Sequence, residues 1–119
     1  NAETMQQTFD LAVDLNCEFA NFYCAMAYPG SKLYEMAVKE NWRFPCQWHG
    51  FSQHSYEMVP LPTKYVSAVE VLRFRDEAFQ RYFESPSYLG MIEKKFGPDI
   101  KKHVQEMTRT KLKRKLLGE

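Results

Sequence analysis

A mainly α-helical fold with one or two short strands is what this sequence predicts. Three features carry that expectation. Apolar residues recur at helical spacing over residues 3–15 and again from residue 64 onward. Helix-starting and helix-stopping residues punctuate the chain at Ser31, Pro62-Thr63, Ser85-Pro86 and Gly97-Pro98. One compact apolar run, residues 18–28, has instead the length and aromatic content of a strand covered on both faces.

In chain order, residues 3–15 place Met5, Phe9, Ala12 and Val13 on one helical face, with Glu3 at the positive end of the dipole and Asn16 as a stop. Residues 18–28, EFANFYCAMAY, read as a strand. A helix competes for this run, because Ala25, Met26 and Ala27 are good helix formers. Pro29-Gly30 ends the run, and Ser31 caps a short helix reaching about Asn41. Trp42 to Pro60 has no clean period and reads as a long loop, a class that is often functional. Pro62 and Thr63 start a long helix over 64–84. Ser85-Pro86 breaks it, and a second helix carries Tyr88, Leu89, Met91, Ile92 and Phe96. Gly97 stops that one, and Pro98-Asp99 opens a third helix with Ile100, Val104, Met107, Leu112 and Leu116 on drifting apolar positions.

The chain has 119 residues, 45% hydrophobic and 26% charged, ordinary values for a single globular domain. No apolar run is long enough to span a membrane, and no leader pattern marks secretion. The net charge of +1 conceals a split, with the first half acidic and the second half basic. The basic third helix, with Lys101, Lys102, Arg109, Lys111, Lys113, Arg114 and Lys115, has the charge to neutralise phosphates. No nucleic-acid motif accompanies it, and cations suit a helix C-terminus, so nucleic acid is not the expected partner.

Cys17, Cys24 and Cys46 form an odd set, which argues against a disulfide framework and fits a reducing cytoplasm. Cys46 and His49 are spaced like half a zinc site, but Cys17 and Cys24 do not complete a usual knuckle, and buried small hydrophobes are the better reading. His49 and His54, near Trp48 in the long loop, are candidates for acid–base work. No nucleophile–base set, zinc motif or phosphate loop joins them. Arg73, Arg75, Asp76 and Glu77 in LRFRDEAF read as a buried ion-pair hub against the 45–60 loop, since two arginines flanking a Phe are costly to bury unpaired.

The stretch EFANFYCAMAYPGSKLYEMAVKENW, Glu18 to Trp42, resembles the last strand and helix of a radical S-adenosylmethionine barrel, and residues 3–15 resemble the helix that enters that strand. From Gln47 onward the chain is similar to the C-terminal extension of cobalamin-dependent radical S-adenosylmethionine proteins. The motifs are PLPTKY at 60–65, VLRFRDEAFQRYF at 71–83, SPSYLGMIEKKFG at 85–97 and LKRKLL at 112–117. Proteins of this group are labelled anaerobic magnesium-protoporphyrin IX monomethyl ester cyclases or Fe-S oxidoreductases.

The resemblance implies a C-terminal fragment of a larger enzyme. Residues 1–44 would be the last helix–strand–helix of a truncated (β/α) barrel, 45–61 an aromatic-rich loop closing over its mouth, and 62–119 a three-helix extension. Active-site groups of barrels gather at the C-terminal ends of strands. Met26, Ala27, Tyr28, Pro29 and Gly30 are therefore expected on the S-adenosylmethionine side of the rim, with Trp48, His49 and His54 toward the substrate. The competing reading of Pro29-Gly30 is a plain link from strand to helix. The parent would carry a 4Fe-4S cluster, S-adenosylmethionine and cobalamin. The family's C-x-x-x-C-x-x-C loop is not written in these 119 residues, so the chain alone is expected to hold none of these cofactors and no metal, and to be inactive. Its partners would be the rest of the barrel and the cobalamin domain, or a second copy paired through strand 18–28. A stand-alone helical interaction module remains the alternative, and a basic nucleic-acid binder ranks below it.

Overall fold

The computed structural model describes all 119 residues and contains five α-helices and no strand. The helices are α1 (Ala2–Leu15), α2 (Lys32–Lys39), α3 (Ala68–Phe83), α4 (Pro86–Phe96) and α5 (Pro98–Arg109). The chain forms two compact units. One comprises Tyr23–Arg75 with Leu112–Glu119 and Asn1, the other Ala2–Phe22 with Asp76–Lys111. Both are discontinuous in sequence, and α3 gives its first half to one and its second half to the other.

The unit containing α1, α4 and α5 has an aromatic core. Tyr82, Phe83 and Tyr88 are nearly fully buried. Their ring centroids lie 5.0–5.2 Å apart, and pairs of this kind contribute about 0.5–1.5 kcal/mol beyond their burial. The Phe22 ring stands 5.9 Å from Phe9 and 5.7 Å from Tyr82. The Arg81 guanidinium covers the outer side of Phe9 at 4.4 Å. α1 ends where Asn16 enters the left-handed region at φ 44°. The two residues that follow are held by phenols: the Tyr82 hydroxyl donates to the Cys17 carbonyl at 2.6 Å and the Tyr88 hydroxyl to the Glu18 carbonyl at 2.8 Å. Burial pushes both phenols above their ordinary pKa, and the charge of Glu18 adds to this. Glu18 itself is paired with Lys95, whose hydrogen bond lowers the carboxyl. Gly97, at φ 92°, serves as the C-cap of α4 and the N-cap of α5. Only a residue without a Cβ adopts that angle cheaply. Lys101 and Glu93 then pair across the corner at 2.6 Å.

The other unit is built from a long loop around an apolar centre. Cys24, Met26, Phe51, Met58 and Leu72 form one buried cluster, with Leu116 and Leu117 packed on it. Ala27, Ala37 and Leu61 form a second. Tyr34 and Phe44, with ring centroids 5.2 Å apart, pack against both.

Four expectations need correction. Residues 18–28 form no strand: residue 18 lies in a bend, the rest is irregular, and no second strand lies beside them. What faces Cys24 is a side chain: Gln53 Nε2 donates to the Cys24 carbonyl and Gln53 Oε1 accepts the Cys24 N–H, each at 3.0 Å. The long helix starts at Ala68 rather than 64. Thr63 Oγ1 accepts from the N–H groups of Tyr65 and Val66 at 3.1 and 2.9 Å, closing a turn. The helix is opened instead by a capping box, in which the Ser67 N–H donates to Glu70 Oε2 at 2.8 Å and the Glu70 N–H donates to Ser67 Oγ at 3.3 Å. The last helix stops at Arg109, short of Leu112 and Leu116, because Arg114 and Lys115 bond to carbonyls of the long loop. Finally, Cys17 and Cys46 are exposed, and only Cys24 is a buried thiol.

Candidate functional site

The segment from Cys24 to Ser31 brings the expected rim residues into one short stretch. Along it, Tyr23 and Ala25 are exposed while Cys24 and Met26 are buried, the period-two pattern of a strand. Met26 and Ala27 turn their side chains into the two apolar clusters and are 5% and 2% exposed. Tyr28, Pro29 and Gly30 follow as an exposed turn. Ser31 closes it, with its N–H and hydroxyl both donating to the Tyr28 carbonyl at 3.1 and 2.7 Å. The same Ser31 hydroxyl accepts the Tyr34 N–H and caps α2, as its position predicts. Gly30 sits at φ 86°, and no atom lies within 4 Å of where a Cβ would be. The turn thus needs glycine for its backbone angle and presents open main chain to solvent.

Leu61 donates its N–H to the Ala25 carbonyl at 3.1 Å, and Gln53 serves Cys24. Met26 and Ala27 are buried and belong to no β-ladder.

The long loop folds over a 3-10 turn at Trp48–Phe51. Gly50 is required there for space, since a Cβ would stand 2.5 Å from Pro45 Cβ. The Phe51 ring lies 6.1 Å from Tyr28 and 6.3 Å from Trp48, so the loop joins two of the sequence-derived candidates through one buried ring. Trp48 is 79% exposed. His49 approaches Glu57 at 3.7 Å in an exposed position, where water screens such a pair. His54 is exposed, and its main chain bonds Ser52 Oγ. The surface so formed is aromatic and main-chain in character, with His49 and His54 exposed on the same loop. Of the four residues expected in an ion-pair hub, Arg73 and Glu77 are exposed, Asp76 is half-buried and Arg75 is 6% exposed.

Two residues hold this surface in ways the sequence does not announce: Gln53 is not singled out there, and Arg114 reads as one cation of the basic third helix. Gln53 is 8% exposed and Arg114 is fully buried. Arg114 Nη1 donates to the Ser55 carbonyl at 2.8 Å and Nη2 to the Gln53 carbonyl at 3.0 Å. The signal available for both was period-two alternation: Phe51, Gln53 and Ser55 in one run, Leu112, Arg114 and Leu116 in the other.

No group of three His, Cys, Asp or Glu side chains comes together to hold a metal ion. No helix is long and apolar enough to cross a membrane. No protein-family model, curated protein or solved structure matches the chain.

Proposed function

We propose that this chain is the C-terminal part of a cobalamin-dependent radical S-adenosylmethionine protein of the cytoplasm, of the cyclase or Fe-S oxidoreductase type. It contributes a wall to the active site and has no activity alone. The observation that carries this reading is the segment 23–28, whose side chains alternate between exposed and buried over 23–26 as in a strand although no strand lies beside it, and which ends in the exposed Tyr28–Gly30 turn. Such a pattern belongs beside another strand. The helix α2 that follows, and the ordered motifs at 60–65, 71–83, 85–97 and 112–117, fit the same frame.

The residues present do not fit a 4Fe-4S cluster: six residues lie between Cys17 and Cys24 and twenty-one between Cys24 and Cys46, one of the three is buried, and no ligand group of three assembles. In this reading the cluster and cobalamin belong to other parts of the parent protein. For S-adenosylmethionine, the chain's own contribution is the turn at Tyr28–Gly30, where open main chain can approach a ligand closely. Trp48, His49 and His54 stand on the loop beside it as substrate-side candidates.

The test is the reading frame that encodes residue 1. A C-x-x-x-C-x-x-C motif upstream in the same frame is the expected finding, and a frame that lacks it overturns the proposal. Anaerobic incubation of the 119-residue chain with iron, sulfide and hydroxocobalamin is expected to leave no bound chromophore. A stoichiometric iron–sulfur spectrum would assign the cluster to this chain and refute the division of labour. Equilibrium sedimentation adds a further arm: a stable dimer that protects the Met26 and Ala27 amides would identify a second copy as the missing neighbour.

A further inference from the structure

The Tyr28–Gly30 turn is tied to the far end of the chain by a series of specific bonds, all within one compact unit. Four contacts place the tail, residues 112–119, on the long loop. Arg114 reaches the Gln53 and Ser55 carbonyls, the Lys115 N–H donates to the Tyr56 carbonyl at 2.9 Å, and the Tyr56 hydroxyl donates to the Glu119 carbonyl at 3.0 Å. The tail also closes on itself, with the Arg114 N–H donating to Glu119 Oε2 at 2.9 Å. Gln53, whose carbonyl receives Arg114, turns its amide to the other side and brackets Cys24 from both its N–H and its C=O. A primary amide can do this because it carries a donor and an acceptor on a single rigid plane. One residue thus receives the tail with its main chain and holds the rim segment with its side chain.

We infer that Gln53 and Arg114 are positioning residues: together they form a clamp through which docking of the C-terminal tail holds Cys24 and the segment leading from it into the Tyr28–Gly30 turn, so that tail docking and ligand binding at that turn are coupled. The function of the turn rests on the reading proposed above, whereas the clamp itself does not. Because coupling is reciprocal, whatever occupies the turn tightens the tail by the same factor. Both groups are buried, so a slip at either leaves carbonyls without donors, and the clamp closes or opens as a unit.

Amide hydrogen exchange on the 119-residue chain, with no ligand, tests the clamp. Arg114→Lys keeps the charge but loses the fork geometry. It is expected to speed exchange of the Lys115 amide and, at a distance, of the Cys24 amide, each by about tenfold, the factor of one lost hydrogen bond. Amides of α4 and α5 should stay within about twofold, which separates the effect from general unfolding. Gln53→Leu, which removes both the acceptor and the donor, should free the Cys24 amide while leaving Lys115 protected, since its main-chain carbonyl still accepts from Arg114. Arg114→Lys with a mobile Lys115 and an unchanged Cys24 overturns the inference. If a variant fails to fold, exchange of the unmodified chain in low guanidinium decides: the Cys24 and Lys115 amides are expected to share one opening free energy, and two separate isotherms overturn the clamp. A clamp that passes while the upstream frame lacks the cysteine motif would stand by itself, with only the ligand of the turn reassigned.

Discussion

Replacing both Tyr82 and Tyr88 with phenylalanine tests how the chain beyond α1 is held. The substitution removes two hydroxyls that donate to the adjacent carbonyls of Cys17 and Glu18 at 2.6 and 2.8 Å, and leaves the packed rings in place. Each bond contributes about 1 kcal/mol net, so the double variant should lose about 2 kcal/mol of stability at pH 7. For a chain of this size that corresponds to roughly 8 °C in Tm. The pH dependence gives an independent check. Burial raises both phenols, so the folded state favours the neutral form. Their contribution is complete below the ordinary tyrosine value of about 10 and is lost as pH rises through the folded values. The gap between the parent chain and the double variant should therefore be widest near neutrality and should narrow in alkali. Urea unfolding followed by far-ultraviolet circular dichroism, at pH 7 and at steps above 10, measures it. An equal urea midpoint at pH 7, or a gap that does not shrink in alkali, would refute the assignment of these phenols as anchors.

Three further outcomes follow from single sites. Ser67→Ala should cost about 1 kcal/mol by removing the cap of α3. Because the Ser67 hydroxyl also donates to the Glu70 carboxylate and helps lower that carboxyl, this part of the difference is present above the usual carboxylate range and lost as pH falls through the folded value, so the gap between Ser67→Ala and the parent should narrow in acid while the pH-independent bond from the Glu70 N–H to Ser67 Oγ keeps it from closing. Gly50→Ala places a methyl 2.5 Å from Pro45 Cβ and should destabilise by about 1–3 kcal/mol through overpacking, visible as a lower urea midpoint of the loop-bearing unit. Ser55→Ala should be neutral or slightly stabilising. Its buried hydroxyl has no partner, while the carbonyl that receives Arg114 is untouched. A loss above about 1 kcal/mol in chemical unfolding would show that the hydroxyl is bonded after all.

Local punctuation was read well because it depends on neighbours within four residues. Asn16 ends α1 in the left-handed region, Ser31 and Ser85 cap their helices, and Gly97-Pro98 joins α4 to α5. The start of α3 was legible too, in Ser67-x-x-Glu70, but Pro62-Thr63 offered an earlier and equally ordinary start. Thr63 bonded into a turn instead, which let Leu61 and Val66 be buried ahead of the helix. The end of α5 was misjudged because Leu112 and Leu116 fit both a fading helix and an extended tail.

By itself, the sequence determined the helical class, the caps, the glycine turns at Gly30 and Gly97 and the aromatic stock of the cores. These follow from torsional preference and from side chains a few residues apart. Only the tertiary structure decided what residues 18–28 become, where the two compact units divide and which polar groups are buried. Gln53 meets Cys24 across twenty-nine positions and Arg114 meets Ser55 across fifty-nine. No local preference encodes such pairs: a buried donor takes whichever carbonyl the fold brings within 3 Å, and an extended segment becomes a strand only where another strand is there to bond it.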